Sequence, residues 1–222
     1  MKQMNNNTQR AACCATLTSL VVLLSGCVAA PFIVGGAAVT TATVVTDRRT
    51  TGTIVSDQVI EQRVSYEVDQ ALGQSKRHVT VTSYEGRVLL SGEVATLNDR
   101  QTAQQVAAAS LDVREVINEL AVMDPTSMTT RLSDSMLATK VRSAIIGNSR
   151  ISLNQMKVTV DRGIVYLMGL VTREEAQLAA QTAAEVSGVQ KIVTCFTVES
   201  AEEVARRMQN VDSSNASTSE QP

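Results

Sequence analysis

Apolar and polar positions along this 222-residue chain form two sets with the same spacing. A shift of 77 residues lays Ser56-Asp57 on Ser133-Asp134, Val64 on Val141, Val81 on Val158 and Gly86 on Gly163. It carries Val88, Leu90, Gly92 and Val94 onto Val165, Leu167, Gly169 and Val171, and Ala103 and Ala107 onto Ala180 and Ala184. After a one-residue deletion, Val113, Val116, Leu120 and Val122 fall on Val189, Ile192, Phe196 and Val198. The chain therefore contains two copies of one structural unit.

Each copy changes period in the same order. A helical stripe, Ile60, Val64 and Val68 in copy one and Leu137, Val141, Ala144 and Ile145 in copy two, predicts a first helix. Asp57 and Asp134 suit its N-cap. Alternation predicts strands over 79–83 and 87–92, matched by 157–161 and 164–169. Tight turns join them at Tyr84-Glu85-Gly86 and Asp161-Arg162-Gly163, where Gly supplies a positive φ. A second, Ala-rich helix follows over 97–110 and 173–187, and a last strand over 116–122 and 192–198. The expected fold is α+β: tandem αββαβ domains at 56–123 and 133–199, joined by a linker over 124–132. Each would pack a three-stranded mixed sheet on two helices.

A unit of about 65 residues lies near the lower limit for a single core, so pairing of the copies is expected. Strand alternation supports this. It turns Ile164, Tyr166, Met168, Val193 and Cys195 away from the helices in copy two, and Leu89 and Ile117 in copy one. Such an apolar face needs a cover, either the other copy or a protein partner.

The N-terminus has the three zones of an export signal. Lys2 and Arg10 precede an apolar run over 11–24, shorter than the roughly 20 residues of a membrane-spanning helix. Leu24-Ser25-Gly26-Cys27 resembles the bacterial lipobox, which implies removal of residues 1–26 and covalent lipid on Cys27. Each buried acyl CH₂ contributes about 0.8 kcal/mol, so several chains hold a protein on a bilayer. By resemblance to lipoprotein sorting, Val28 favours the outer membrane, facing the periplasm. Residues 27–55 read as a lipidated tether rich in Ala, Val, Thr and Gly. Over 200–222 a short helix and a polar, disordered tail are expected. With Cys13 and Cys14 removed and Cys27 lipidated, Cys195 is left as a free thiol, which we expect to be buried and inert.

Gly163-Ile164-Val165-Tyr166-Leu167-Met168-Gly169, followed by Gly188-Val189, resembles the BON domain. Copy one keeps Gly86-Arg87-Val88-Leu89-Leu90-Ser91-Gly92 but has Asp112 in place of the later Gly. With the stretch over 46–52, the whole chain is similar to dual-BON outer-membrane lipoproteins. The resemblance implies a non-enzymatic protein that binds anionic phospholipid through its second domain. It also implies support of outer-membrane integrity and placement at division sites. Gly86, Gly92, Gly163, Gly169 and Gly188 are then structural turn glycines.

Composition narrows the chemistry. With 20 Lys+Arg against 22 Asp+Glu there is no basic surplus for nucleic acid, and five Phe and Tyr leave little to stack bases. One histidine, His78, excludes His-rich metal sites and reads as a surface-loop residue. Glu174-Glu175 and Glu202-Glu203 suit helix starts rather than an acid/base pair. No cofactor, metal or catalytic residue is expected.

Charge separates the copies: 6 basic against 10 acidic residues over 57–123, and 7 against 6 over 133–199. The second is the better partner for an anionic bilayer. On its first helix Met136, Lys140 and Ser143 share a flank beside the stripe of Leu137 and Val141, while Thr139, Arg142 and Ile146 face outward. By periodicity alone this flank reads equally as a core edge. The resemblance makes Met136, Leu137, Lys140, Arg142 and Ser143 the candidate lipid contacts. The competing function is a scaffold for envelope-assembly or cell-wall partners, docked through the outer sheet faces.

Overall fold

The computed structural model describes residues 47–219. The predicted signal, Cys27 and most of the tether lie outside them. The first copy comprises α1 (Thr51–Leu72), β1 (Arg77–Tyr84), β2 (Arg87–Val94), α2 (Leu97–Ala109), β3 (Glu115–Asn118) and β4 (Ala121–Val122). The second comprises α3 (Met128–Gly147), β5 (Met156–Asp161), β6 (Ile164–Thr172), α4 (Arg173–Ala184) and β7 (Lys191–Glu199), followed by α5 (Ala201–Ser219). Both sheets are mixed. β2 runs antiparallel to β1 and parallel to β3 and β4. β6 runs antiparallel to β5 and parallel to β7.

Each domain has its own core. Ile60, Val64 and Val68 of α1 meet Val88, Leu90 and Val94 of β2 and the small residues Ala103 and Ala107 of α2. Leu137, Val141 and Ile145 of α3 meet Val165, Leu167 and Val171 of β6 with Ala179 and Ala183 of α4. The described residues, 47–219, fall in one compact unit that holds every core described.

The buried alanines correct the repeat alignment. Ala103 and Ala107 correspond to Ala179 and Ala183, not to Ala180 and Ala184. The deletion therefore falls before the second helix, because each such helix starts at its own capping box, Thr96 with Asp99 and Thr172 with Glu175.

The first helices also begin earlier than expected. Their N-caps are Thr50 and Ser127, again 77 residues apart, which accept from the backbone N–H of Thr53 and Thr130. Part of the expected tether and linker is thus helical. Asp57 and Asp134 lie within the helices and serve a different purpose. In each hairpin turn both central residues have positive φ, Glu85 with Gly86 and Arg162 with Gly163, the geometry of a type I′ turn. Asp57 accepts from the N–H of Glu85 (2.9 Å) and Gly86 (3.0 Å). Asp134 accepts from the N–H of Arg162 and Gly163, both at 2.9 Å. The carboxylate satisfies turn amides that no strand partner can reach.

Two smaller differences concern chain ends. The last strand of copy one is split into β3 and β4, and the amide side chain of Asn118 accepts from the N–H of Leu120 at the break. Beyond Glu199, helix α5 runs to Ser219, through most of the stretch expected to be a disordered tail. Its Val204 and Val211, seven residues apart, are both buried, a hydrophobic reason for the helix to continue.

The outer sheet faces cover each other. Tyr84 and Leu89 pack with Tyr166, Met168, Leu170 and Cys195, joined by Ile117, Ile164 and Val193. The packing has pseudo-two-fold character: the equivalent Thr82 and Thr159 hydroxyls meet at 3.0 Å. Polar residues on the face of copy one also find partners across the seam. Arg87 donates to the carbonyl of Cys195 (2.9 Å) and to Thr197 (3.0 Å), and the Ser91 hydroxyl donates to Asp161. Their equivalents show the asymmetry, since Ser91 and Asp161 correspond to Met168 and Tyr84, both in the apolar patch. The faces expected to dock external partners are consumed here.

Cys195 sits in this seam at 5% exposure. Burial, with Glu119 and Glu115 nearby, pushes its thiol up to about 11 despite Arg87. A bulky maleimide should label it at least 100-fold more slowly in native buffer than in denaturant, an order of magnitude set by the need for local opening. Equal rates would contradict the buried seam.

Candidate functional site

Helix α3 divides sharply between two faces. Asp134, Leu137, Ala138, Val141 and Ile145 are buried against the second sheet and α4. Opposite them stand four large apolar side chains: Met128 (75% exposed), Leu132 (59%), Met136 (59%) and Ile146 (67%). At about 100° per residue these four lie within about 80° of one another, and the stripe spans about 27 Å of helix. An exposed apolar stripe of that extent marks an interaction surface.

Two polar groups along the stripe are satisfied within the helix. The hydroxyls of Ser135 and Thr139 donate to the carbonyls of Arg131 and Ser135, each at 3.0 Å. They therefore need no water to complete their hydrogen bonds. Lys140 flanks the stripe, exposed, with no hydrogen bond or ion pair among the described residues. Arg131 flanks the other side, with Nη1 3.9 Å from the Met128 sulfur.

The sequence-derived contacts divide on this geometry. Met136, Lys140 and Ser143 share the outward flank and are exposed. Leu137 is buried at 7% and belongs to the core, where it lies beneath the Gly188 turn. Arg142 is exposed but donates to the Val158 carbonyl at 2.6 Å, capping the free edge of β5. Met128 and Leu132 were missed because the helix was expected to begin near Asp134. Their signal was the Ser127-x-x-Thr130 start, at the repeat position of Thr50 and Thr53.

Helix α1 supplies an internal comparison. Val55 and Val59 occupy the positions of Leu132 and Met136, but Asp69 stands where α3 has Ile146. Lys140 corresponds to Arg63, which donates to the Leu111 carbonyl (2.8 Å) and lies 3.9 Å from Asp112. Asp112 takes the left-handed backbone, φ 66°, that Gly188 takes in copy two at φ 104°. Replacing Asp by Gly there removes the carboxylate that would face Lys140.

His78 is not a loop residue. It is the second residue of β1, with Nδ1 3.4 Å from Glu93 and 3.9 Å from Asp161. Burial raises the Asp161 carboxyl above its ordinary value and Glu93 and Asp134 add to this, while Ser91 and His78 oppose it. Arg162 lies 3.5 Å from Glu93, and Thr126 donates to the same carboxylate. These groups join the domains and are closed off from substrate-sized molecules, since Ser91, Glu93 and Asp161 are all buried. Among the described residues, no group of three or more His, Cys, Asp or Glu could hold a metal ion, and no helix is long and apolar enough to cross a membrane.

The segment before α1 is built into the fold. Arg48 pairs with Glu175 at the start of α4 (2.7 Å) and donates to the Leu170 carbonyl (2.9 Å). Arg49 bonds Asp47 and Asp57 and stacks 4.0 Å above the Tyr84 ring. Burial opposes the Arg49 charge, but the two carboxylates outweigh it and the guanidinium pKa is raised.

Comparison with known proteins agrees with the repeat. The BON domain profile matches residues 56–124 and 133–200. The chain is 39% identical over 152 residues to Outer membrane lipoprotein DolP of Haemophilus influenzae, covering 68% of this chain and 79% of that one. It is 32% identical over 148 residues to the 21 kDa hemolysin of Actinobacillus pleuropneumoniae, covering 66% and 76% respectively. With two matched units, a shared αββαβ order and this likeness over most of its folded length, the chain belongs to the BON domain family.

Proposed function

We propose that this protein is a non-enzymatic outer-membrane lipoprotein that binds anionic phospholipid through α3 of its second domain and so supports envelope integrity. Its likeness to an outer-membrane lipoprotein and the Leu24-Ser25-Gly26-Cys27 order support a lipid anchor on Cys27 and a periplasmic orientation. The observation that carries the reading is the α3 face: Met128, Leu132, Met136 and Ile146 in one stripe beside the unpaired Lys140. Apolar groups enter the interface while the lysine meets a phosphate, and no pocket is needed. Division-site placement would follow from local lipid composition.

Flotation of residues 44–222 with vesicles tests the proposal. Binding should require an anionic headgroup and weaken with salt. Each basic residue near an anionic surface is worth about 1 kcal/mol, so Lys140→Glu should cost about 2 kcal/mol, or roughly thirtyfold in affinity. Met136→Asp should weaken binding at least as much, and the matched Val59→Asp in copy one should leave it unchanged. Binding that is indifferent to both α3 changes would overturn the assignment. A second reading, protein docking, is favoured by the exposed Val55, Val59 and Tyr66 of α1. It predicts the reverse dependence.

A further inference from the structure

We propose that Met128 and Met136 make the α3 face an oxidation-sensitive site, releasing it from lipid when both become sulfoxides. The inference rests on the lipid reading above. Two of the four large apolar groups on the stripe are thioethers, at 75% and 59% exposure, so a small oxidant reaches both without any opening of the fold. Met156 and Met168 are buried at 5% and 1%, and Cys195 is shielded in the seam with its thiol held protonated. Oxidation therefore reaches the stripe before it reaches the methionines of the cores.

The chemistry needs hydrogen peroxide as the oxidant. The methionine sulfur attacks one peroxide oxygen and an S–O bond forms as the O–O bond breaks. After proton transfer the second oxygen leaves as water. The sulfur is oxidised by two electrons and the peroxide is reduced by two. The product side chain is polar and no longer favours the acyl boundary, while the internal packing of α3 is untouched. Loss of two apolar contacts should weaken vesicle binding about tenfold. Met123, exposed at 44% in the loop after β4, provides a control that oxidises off the stripe.

Residues 44–222 would be treated with hydrogen peroxide, mapped by peptide mass spectrometry and floated with anionic vesicles. Sulfoxide should appear at Met128 and Met136 before Met156 and Met168, with about tenfold weaker binding, restored by a methionine sulfoxide reductase. The Met128→Leu/Met136→Leu double variant keeps the apolar volume. It should bind vesicles before and after peroxide alike, even though Met123 still oxidises. Binding that survives oxidation of both residues, or is lost equally in the double variant, overturns the inference alone. Absence of binding before any peroxide is added overturns the lipid reading and this inference with it.

Discussion

Replacing Asp57 by Ala should lower the stability of the folded unit by about 3–5 kcal/mol, the cost of breaking a buried charge pair. The carboxylate is 1% exposed and accepts from Arg49, the Ser83 hydroxyl and two turn amides. Removing it takes one of two carboxylates from a buried guanidinium, leaving Nη1 without its acceptor while Asp47 holds the rest, and orphans the amides of Glu85 and Gly86. Asp134→Ala, at the equivalent position, should cost only about 1–3 kcal/mol, because it leaves two amides and no cation. Urea midpoints of the two variants measure the difference, and equal losses would refute the role given to Arg49. The pH dependence follows. Burial by itself would raise the Asp57 pKa, but the Gly86 amide, Ser83, the Glu85 amide and Arg49 together hold it below its ordinary 3.8. A depressed folded value gives stability that is fully present above the ordinary one and is lost as pH falls through the folded value. The gap between wild type and Asp57→Ala should therefore be constant from pH 8 to about pH 5 and close in acid.

Gly92→Ala should be comparably damaging, with the melting temperature falling by more than about 10 °C. A Cβ at Gly92 would stand 2.0 Å from the His78 carbonyl oxygen, and the backbone there has φ 108°. Gly169→Ala meets the Gln155 carbonyl oxygen at 2.2 Å, but its φ is not positive. Both obstacles are backbone, so no side chain can yield. The ordering expected by thermal melting is Gly92→Ala below Gly169→Ala, both far below wild type. A benign Gly92→Ala would mean that β1 and β2 can separate at no cost.

These glycines show what was legible in the sequence. In Gly-x-Val-x-Leu-x-Gly the first glycine and the buried strand were readable, but Gly92 and Gly169, expected as turn glycines, lie inside β2 and β6. The reason for the second glycine, a carbonyl of the neighbouring hairpin strand at His78 or just before it at Gln155, depends on how the two strands pair, which the pattern of one strand does not carry. Strand alternation likewise placed Tyr166, Met168 and Cys195 on an outer face without saying what covered it. Asp57 and Asp134 went wrong for a related reason. An Asp before an apolar stripe resembles an N-cap, and its reach across to a hairpin 28 residues away leaves no local trace. At the candidate site, helical spacing put Met136, Lys140 and Ser143 on one flank but could not say whether it was a core edge or a free surface; their exposure decides that. Helical spacing also set Leu137 apart on the core stripe, where α4 and the Gly188 turn close over it; only the resemblance had counted it among the lipid contacts.

The Arg48-Arg49 pair has a mechanical consequence. Tension arriving along the chain from before Asp47 meets two guanidinium anchorages before it reaches the first turn of α1. One grips Glu175 and the Leu170 carbonyl in copy two, the other Asp57 in copy one. The load is thus shared by both domains in parallel. A pull on Asp47 cannot peel α1 away turn by turn without first tearing out both arginines.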